Sequence, residues 1–155
     1  MLVEITDTAS VNFKAILAKT QLLNQPLKEC AIISKQEVEK RFNYEVSPKG
    51  LRWSENHPIY ARLCKPPRAK ILSNKGNLRK TVTMSVRGNV LTQSSDLLYS
   101  STHQCGRVAH NISIPKQGGG FLFFKKLNIP ARPFVGYSVG EIKQFGDIII
   151  RYLIQ

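Results

Sequence analysis

The sequence predicts a single α+β domain: two N-terminal helices, a small antiparallel β-sheet with a short inserted helix, and a long C-terminal helix. Three observations carry that prediction. Apolar residues recur at helical spacing over residues 7–43, alternating segments with tight-turn residues lie between residues 71 and 129, and Ser138 and Glu141 form a capping box before a last amphipathic stretch. The 155 residues suit one core, because single domains usually hold about 100–200 residues.

Residues 2–5 alternate weakly, as a short strand does, and Asp7 or Thr8 then caps a first helix that places Phe13, Ile16 and Leu17 on one face. Pro26 suits the first turn of a second helix, whose stripe is Leu27, Cys30, Ala31, Val38 and Phe42 and whose end falls near Asn43. Periodicity then stops. Residues 47–70 read as a long basic loop with five prolines or glycines, the only tryptophan, Trp53, and one helical turn at residues 59–63.

Val82, Met84 and Val86 alternate with polar residues, and Gly88-Asn89 offers a tight turn into residues 90–93, so a half-buried hairpin is expected. Ser94 or Ser95 is expected to cap a short helix through Leu97, Leu98 and His103, with Gly106 as its stop. Residues 108–115 and 121–127 flank KQGGG as a second hairpin, and the run FLFF reads as a strand buried on both faces. In the last helix, residues 138–154, Tyr137 and Ile142 occupy the staple positions, and Ile142, Phe145, Ile149, Tyr152 and Leu153 form the expected buried stripe.

The formal charge is +13, and it is segregated. Residues 1–55 and 141–155 are nearly balanced, whereas residues 56–140 hold thirteen Lys and Arg against one acid, Asp96. Such a surface attracts nucleic acid, acidic protein or anionic membrane. Three widely spaced cysteines without a CxxC pair suggest neither a disulfide framework nor a zinc knuckle. The N-terminal residues lack a signal-peptide pattern and no run reaches a membrane span, so the expected place is the cytosol or a particle assembled from it, with no membrane partner.

No chemistry is expected either. His57, His103 and His110 lack tight ligand spacing with one another or with cysteine, which argues against a metal. Seven of the ten acids precede residue 56, so the basic middle has no carboxylate cluster for phosphoryl chemistry, and QGGG lacks the Lys-Ser/Thr of a phosphate loop. No cofactor and no enzyme activity are expected. On charge alone, sequence-independent nucleic-acid binding is the competing function.

Four segments, GLRWSENHPIYAR, ILSNKGNLRKTVT, LLYSSTHQCG and NIPARPFVGYS, followed by the amphipathic last helix, resemble the virion morphogenesis family of Mu-like bacteriophages, also described as tail completion proteins. The matching positions are Trp53, Gly76, Leu78, Arg79, His103, Gln104, Gly106 and residues 129–136, in family order from Gly50 to the end of the chain. Cys105 stands where an aromatic is usual, and Ser100-Ser101 where small apolar residues are usual. The resemblance implies a subunit that joins or finishes the tail at its head-proximal end, built into a ring, commonly of six copies. Its implied partners are copies of itself and other tail or neck proteins, with non-specific contact to the passing genome, first in the host cytoplasm and then in the virion. Trp53, Arg79, Arg132 and Phe134 are the candidate assembly residues; the flanking Pro130 and Pro133 are expected to hold Arg132 outward.

Overall fold

The computed structural model describes residues 14, 16–64 and 70–154. The strand expected at residues 2–5, the cap at Asp7 or Thr8, and Phe13 lie outside them. Residues 16–20 are helical, with Ile16 and Leu17 exposed. The elements that follow are α1 (Asn24–Tyr44), α2 (Pro58–Cys64), α3 (Asn77–Thr81), β1 (Val82–Arg87), β2 (Val90–Ser95), α4 (Ser100–Cys105), β3 (Arg107–Pro115), β4 (Phe121–Ile129) and α5 (Val139–Ile154). This is the α+β class that the sequence predicts.

Helix α1 is the spine. Leu27, Cys30, Val38 and Phe42 of its expected stripe are buried and Ala31 is partly so, and Ser34 and Arg41 are buried on the same face. Glu45 ends the helix in a left-handed conformation, its N–H donating to the Arg41 carbonyl. One side of α1 carries the β1–β2 hairpin, whose register runs from Val82↔Ser95 to Arg87↔Val90 around Gly88-Asn89. Lys35 donates to the Val82 carbonyl at 2.6 Å, and Gln93 donates to the Ser34 hydroxyl. Asn89 reaches back to the start of α1: its Oδ1 accepts from Leu23 N–H at 3.1 Å and its Nδ2 donates to the Thr20 carbonyl at 3.1 Å. A turn asparagine therefore takes up the N–H of Leu23, the N-cap residue, which makes no side-chain capping bond of its own.

Helix α5 packs antiparallel on α1. Arg41 near the end of α1 meets Glu141 at the start of α5, and Glu29 near the start of α1 meets Arg151 near the end of α5 at 2.8 Å. Between these layers Val38, Phe42, Trp53, Leu78, Val82 and Phe134 form the core. Phe42 lies at its centre, edge-on to the Trp53 ring at 5.4 Å and tilted against Phe134 at 5.7 Å.

Five local expectations change. The β elements form two separate two-stranded ribbons, β1–β2 and β3–β4, and not one sheet. Ser94 and Ser95 belong to β2, and the short helix starts later, after Tyr99, leaving Leu98 97% exposed. FLFF is not buried on both faces: Phe121 and Phe123 are exposed, because a two-stranded ribbon has no layer over its outer face. In the basic loop, described at residues 47–64 and 70, Trp53 N–H donates to the Glu45 carbonyl at 2.8 Å, Ser47 N–H donates to the Leu51 carbonyl at 2.8 Å, and α2 stands in place of a single turn. In α5 Phe145, Ile149, Tyr152 and Leu153 of the expected stripe are half-buried, but the fully buried residues are Glu141 and Ile148, and Ile142 is 58% exposed. The ion pair with Arg41 turns Glu141 inward, which rotates Ile142 onto the outer face one residue later.

Candidate functional site

Of the family-like residues, Trp53, His103, Gln104 and Gly106 converge on one feature, the connection of residues 130–136 that leads from β4 to α5. Proline restricts this chain to extended backbone, and its peptide groups, having no strand beside them, are satisfied by side chains instead. Gln104 of α4 does most of this. Its Oε1 accepts from Phe134 N–H at 3.0 Å and Val135 N–H at 3.2 Å, and its Nε2 donates to the Val135 carbonyl at 2.9 Å. Trp53 Nε1 donates to the Pro133 carbonyl at 2.8 Å, Gln93 accepts from Gly136 N–H at 2.7 Å, and Arg41 donates to the Gly136 carbonyl at 2.7 Å.

Arg132 corrects the expectation of an outward side chain. It is 3% exposed, with Nε donating to the Ser54 carbonyl and Nη2 to the Glu55 carbonyl, each at 2.7 Å. Its own N–H donates to the His103 carbonyl at 2.6 Å. The alternation of an extended chain puts Arg132 and Phe134 on the same side, and that side is the interior. Burial lowers the pKa of Arg132, with the nearby Tyr60 pulling the other way. Burial, and then the Arg132 charge, lower the pKa of His103, whose Nδ1 is buried without a hydrogen-bond partner among the described residues.

Of the four candidate assembly residues, Trp53, Arg132 and Phe134 are therefore packed within the subunit. Arg79 is half exposed and holds α3 against α1, its guanidinium on the Glu39 carboxylate and its Nη1 donating to Asn43 Oδ1 at 2.9 Å. The capping box forms as expected: Ser138 N–H donates to Glu141 Oε2 at 2.8 Å, and Glu141 N–H to Ser138 Oγ at 3.1 Å. Sequence reasoning missed that the same carboxylate oxygen also takes the Arg41 guanidinium, with both side chains buried. A lone Arg in a predicted buried stripe, one turn from Val38 and beside Phe42, was the available signal.

Surfaces that the subunit leaves uncovered lie elsewhere. The outer side of α5 exposes Val139, Ile142, Ile150 and Ile154, an apolar stripe at helical spacing. The β3–β4 ribbon exposes Phe121, Phe123, Lys125, Lys126 and His110, and residues 97–140 contain no acid. Beneath the ribbon is a cavity of about 720 Å³ with apolar walls from Leu78, Ile112, Leu127 and Ile129. Arg132, Lys75, His57 and His103 also line it, and no acid does among the described residues. Phe124 holds the ribbon over this space by meeting His57 edge-on at 5.4 Å, and Gln117 N–H donates to the Leu63 carbonyl at 2.8 Å.

Among the described residues no group of His, Cys, Asp and Glu is placed to hold a metal ion, and no helix is long and apolar enough to cross a membrane. Compared with known proteins, residues 6–154 match the model of the phage virion morphogenesis family. No curated protein and no solved structure matches.

Proposed function

The chain belongs to the phage virion morphogenesis family, and from that premise we propose that it completes or joins the tail at its head-proximal end, as one subunit of a closed ring and without catalysis. The family match over nearly the whole chain carries the reading. The uncovered surfaces support it, because α5 leaves Val139, Ile142, Ile150 and Ile154 exposed on one side, and exposed apolar surface of this kind marks interaction sites. A closed ring also requires two different complementary patches on each subunit, and the strongly basic middle, with Asp96 as its one acid, and the balanced ends supply the asymmetry. The reading is tested by electron microscopy of lysates from a phage with a nonsense codon in this gene. Separate capsids and unfinished tails, restored to joined particles by the protein in trans, are expected. Normal yields of joined, infectious virions without it would overturn the reading.

A second reading, sequence-independent nucleic-acid binding, rests on one observation: β4 exposes Phe121 and Phe123 together with Lys125 and Lys126. Such side chains stack bases and neutralise phosphates. Binding of single-stranded DNA that weakens steeply with salt, and that is lost in Phe123→Ala and Lys126→Ala, favours it. Salt-insensitive or undetectable binding removes it.

A further inference from the structure

The two ends of α1 differ in chemistry. At its N-terminal end the helical residues 16–20 run into α1 beside Asn89, through the Thr20 carbonyl. At its other end Phe42 packs with Leu78, which also lines the cavity beneath the β3–β4 ribbon. The 21 residues of α1 set these ends about 31 Å apart at 1.5 Å per residue.

The cavity wants a ligand that is apolar and negative. Its volume of about 720 Å³ is bounded by aliphatic walls, and its ionisable lining is Arg132, Lys75, His57, His103 and tyrosines, without an acid. A deeply buried guanidinium beside an unpartnered imidazole nitrogen makes a poor water pocket and a good one for a carboxylate. A segment of that composition precedes the helical residues 16–20 in the sequence. Residues 2–7, Leu-Val-Glu-Ile-Thr-Asp, alternate apolar side chains with Glu4 and Asp7, and no Lys or Arg occurs before Lys14.

We propose that residues 2–7 of one copy seat in the cavity beneath the β3–β4 ribbon of the next copy, Leu2 or Ile5 against the aliphatic walls and Glu4 or Asp7 toward Arg132 and Lys75. This rests on the ring reading and gives it a contact. A segment that leads in sequence into one end of α1 and a receptor near the other end suit a head-to-tail interface, the kind that closes into rings. The charge arrangement works in its favour: the most acidic short stretch before Lys14 meets the middle that has almost no acids.

The test is light scattering on full-length protein over a range of concentrations. The wild type is expected to be ring-sized, and Glu4→Lys with Asp7→Lys to weaken association at least tenfold at unchanged melting temperature. Lys75→Glu, at an exposed position, is expected to do the same, and combining it with the N-terminal pair to restore assembly. An N-terminal variant that assembles like the wild type removes this contact and leaves the ring standing. A monomeric wild type removes both. A DNA duplex that protects Ile112 and Ile129 from hydrogen exchange, where a peptide of residues 1–13 does not, gives the cavity to nucleic acid and overturns the assignment.

Discussion

Replacing Glu141 by glutamine tests whether the buried ion pair is what seats α5. The substitution keeps the volume and can keep the accepted bond from Ser138 N–H, but it removes the negative charge beside Arg41, where both side chains are almost wholly buried. Removing one partner of such a pair costs about 3–5 kcal/mol, because the remaining charge stays buried without its counter-charge. The lower end applies here, since Arg41 keeps the Gly136 carbonyl at 2.7 Å and the Phe134 carbonyl at 3.3 Å. Glu141 Oε1 has no partner among the described residues, so the new amide must donate into a place that offered no acceptor. About 3 kcal/mol should lower the melting temperature by roughly 6–12 °C for a chain of this size. Urea unfolding followed by the fluorescence of Trp53, 5% exposed and edge-on to Phe42, reads the loss from the core itself. Arg41→Met alone should cost at least as much, and the double variant much less than the sum, with a coupling of about 2 kcal/mol. A loss under about 0.5 kcal/mol in Glu141→Gln, the range of ordinary surface changes, or strict additivity in the cycle, would refute the reasoning.

Three further outcomes follow from neighbouring geometry. Gly106 holds φ 75°, and a Cβ there would lie 2.8 Å from the Ala131 nitrogen and 3.0 Å from the Ile129 carbonyl oxygen, so Gly106→Ala should cost about 2 kcal/mol or more in chemical denaturation. Arg132→Ala should destabilise the isolated subunit by about 3 kcal/mol through two lost charge-assisted bonds to Ser54 and Glu55; Arg132→Lys should recover only part of this in the same melts, because an ammonium lacks the planar fork. His103 is held below its ordinary pKa by burial and by Arg132, so the unfolded chain takes up that proton first as pH falls. Its contribution is complete above about pH 6.5, the ordinary histidine value, and declines as pH drops toward the depressed folded value. Urea midpoints at pH 7.5, 6.5 and 5.5 should fall more steeply in the wild type than in His103→Gln.

What could be read from the sequence was what neighbours in the chain decide. The stripe of α1, the Gly88-Asn89 hairpin, the stop at Gly106 and the capping box at Ser138 each depend on residues within about one or two turns, and each is present. The inward turn of Glu141 depends on Arg41, a hundred residues earlier, so no local period reports it, and the expected stripe of α5 departs from the structure at Ile142. Trp53, Phe134 and Arg132 show the same limit at the candidate site. Their residue types announce an anchor that seeks a pocket, but whether the pocket belongs to the same subunit is a matter of tertiary structure. FLFF failed for a different reason: an apolar run predicts a covered strand only if a second layer exists, and this ribbon has none outside.

The distance in sequence between Arg41 and Glu141 also sets a timetable. Until residue 141 has been synthesised, α1 presents a buried-type face with an uncompensated guanidinium on it, and the connection that Gln104 and Trp53 grip has not yet arrived. Contacts of such long sequence separation close late, after the local helices and hairpins have formed. A chain cut short before α5 therefore cannot present the apolar stripe of Val139, Ile142, Ile150 and Ile154, nor the layer that hides the face of α1. Completion of the polypeptide and maturation of the surface are one event, so an unfinished chain has no finished outer surface to offer a particle under construction.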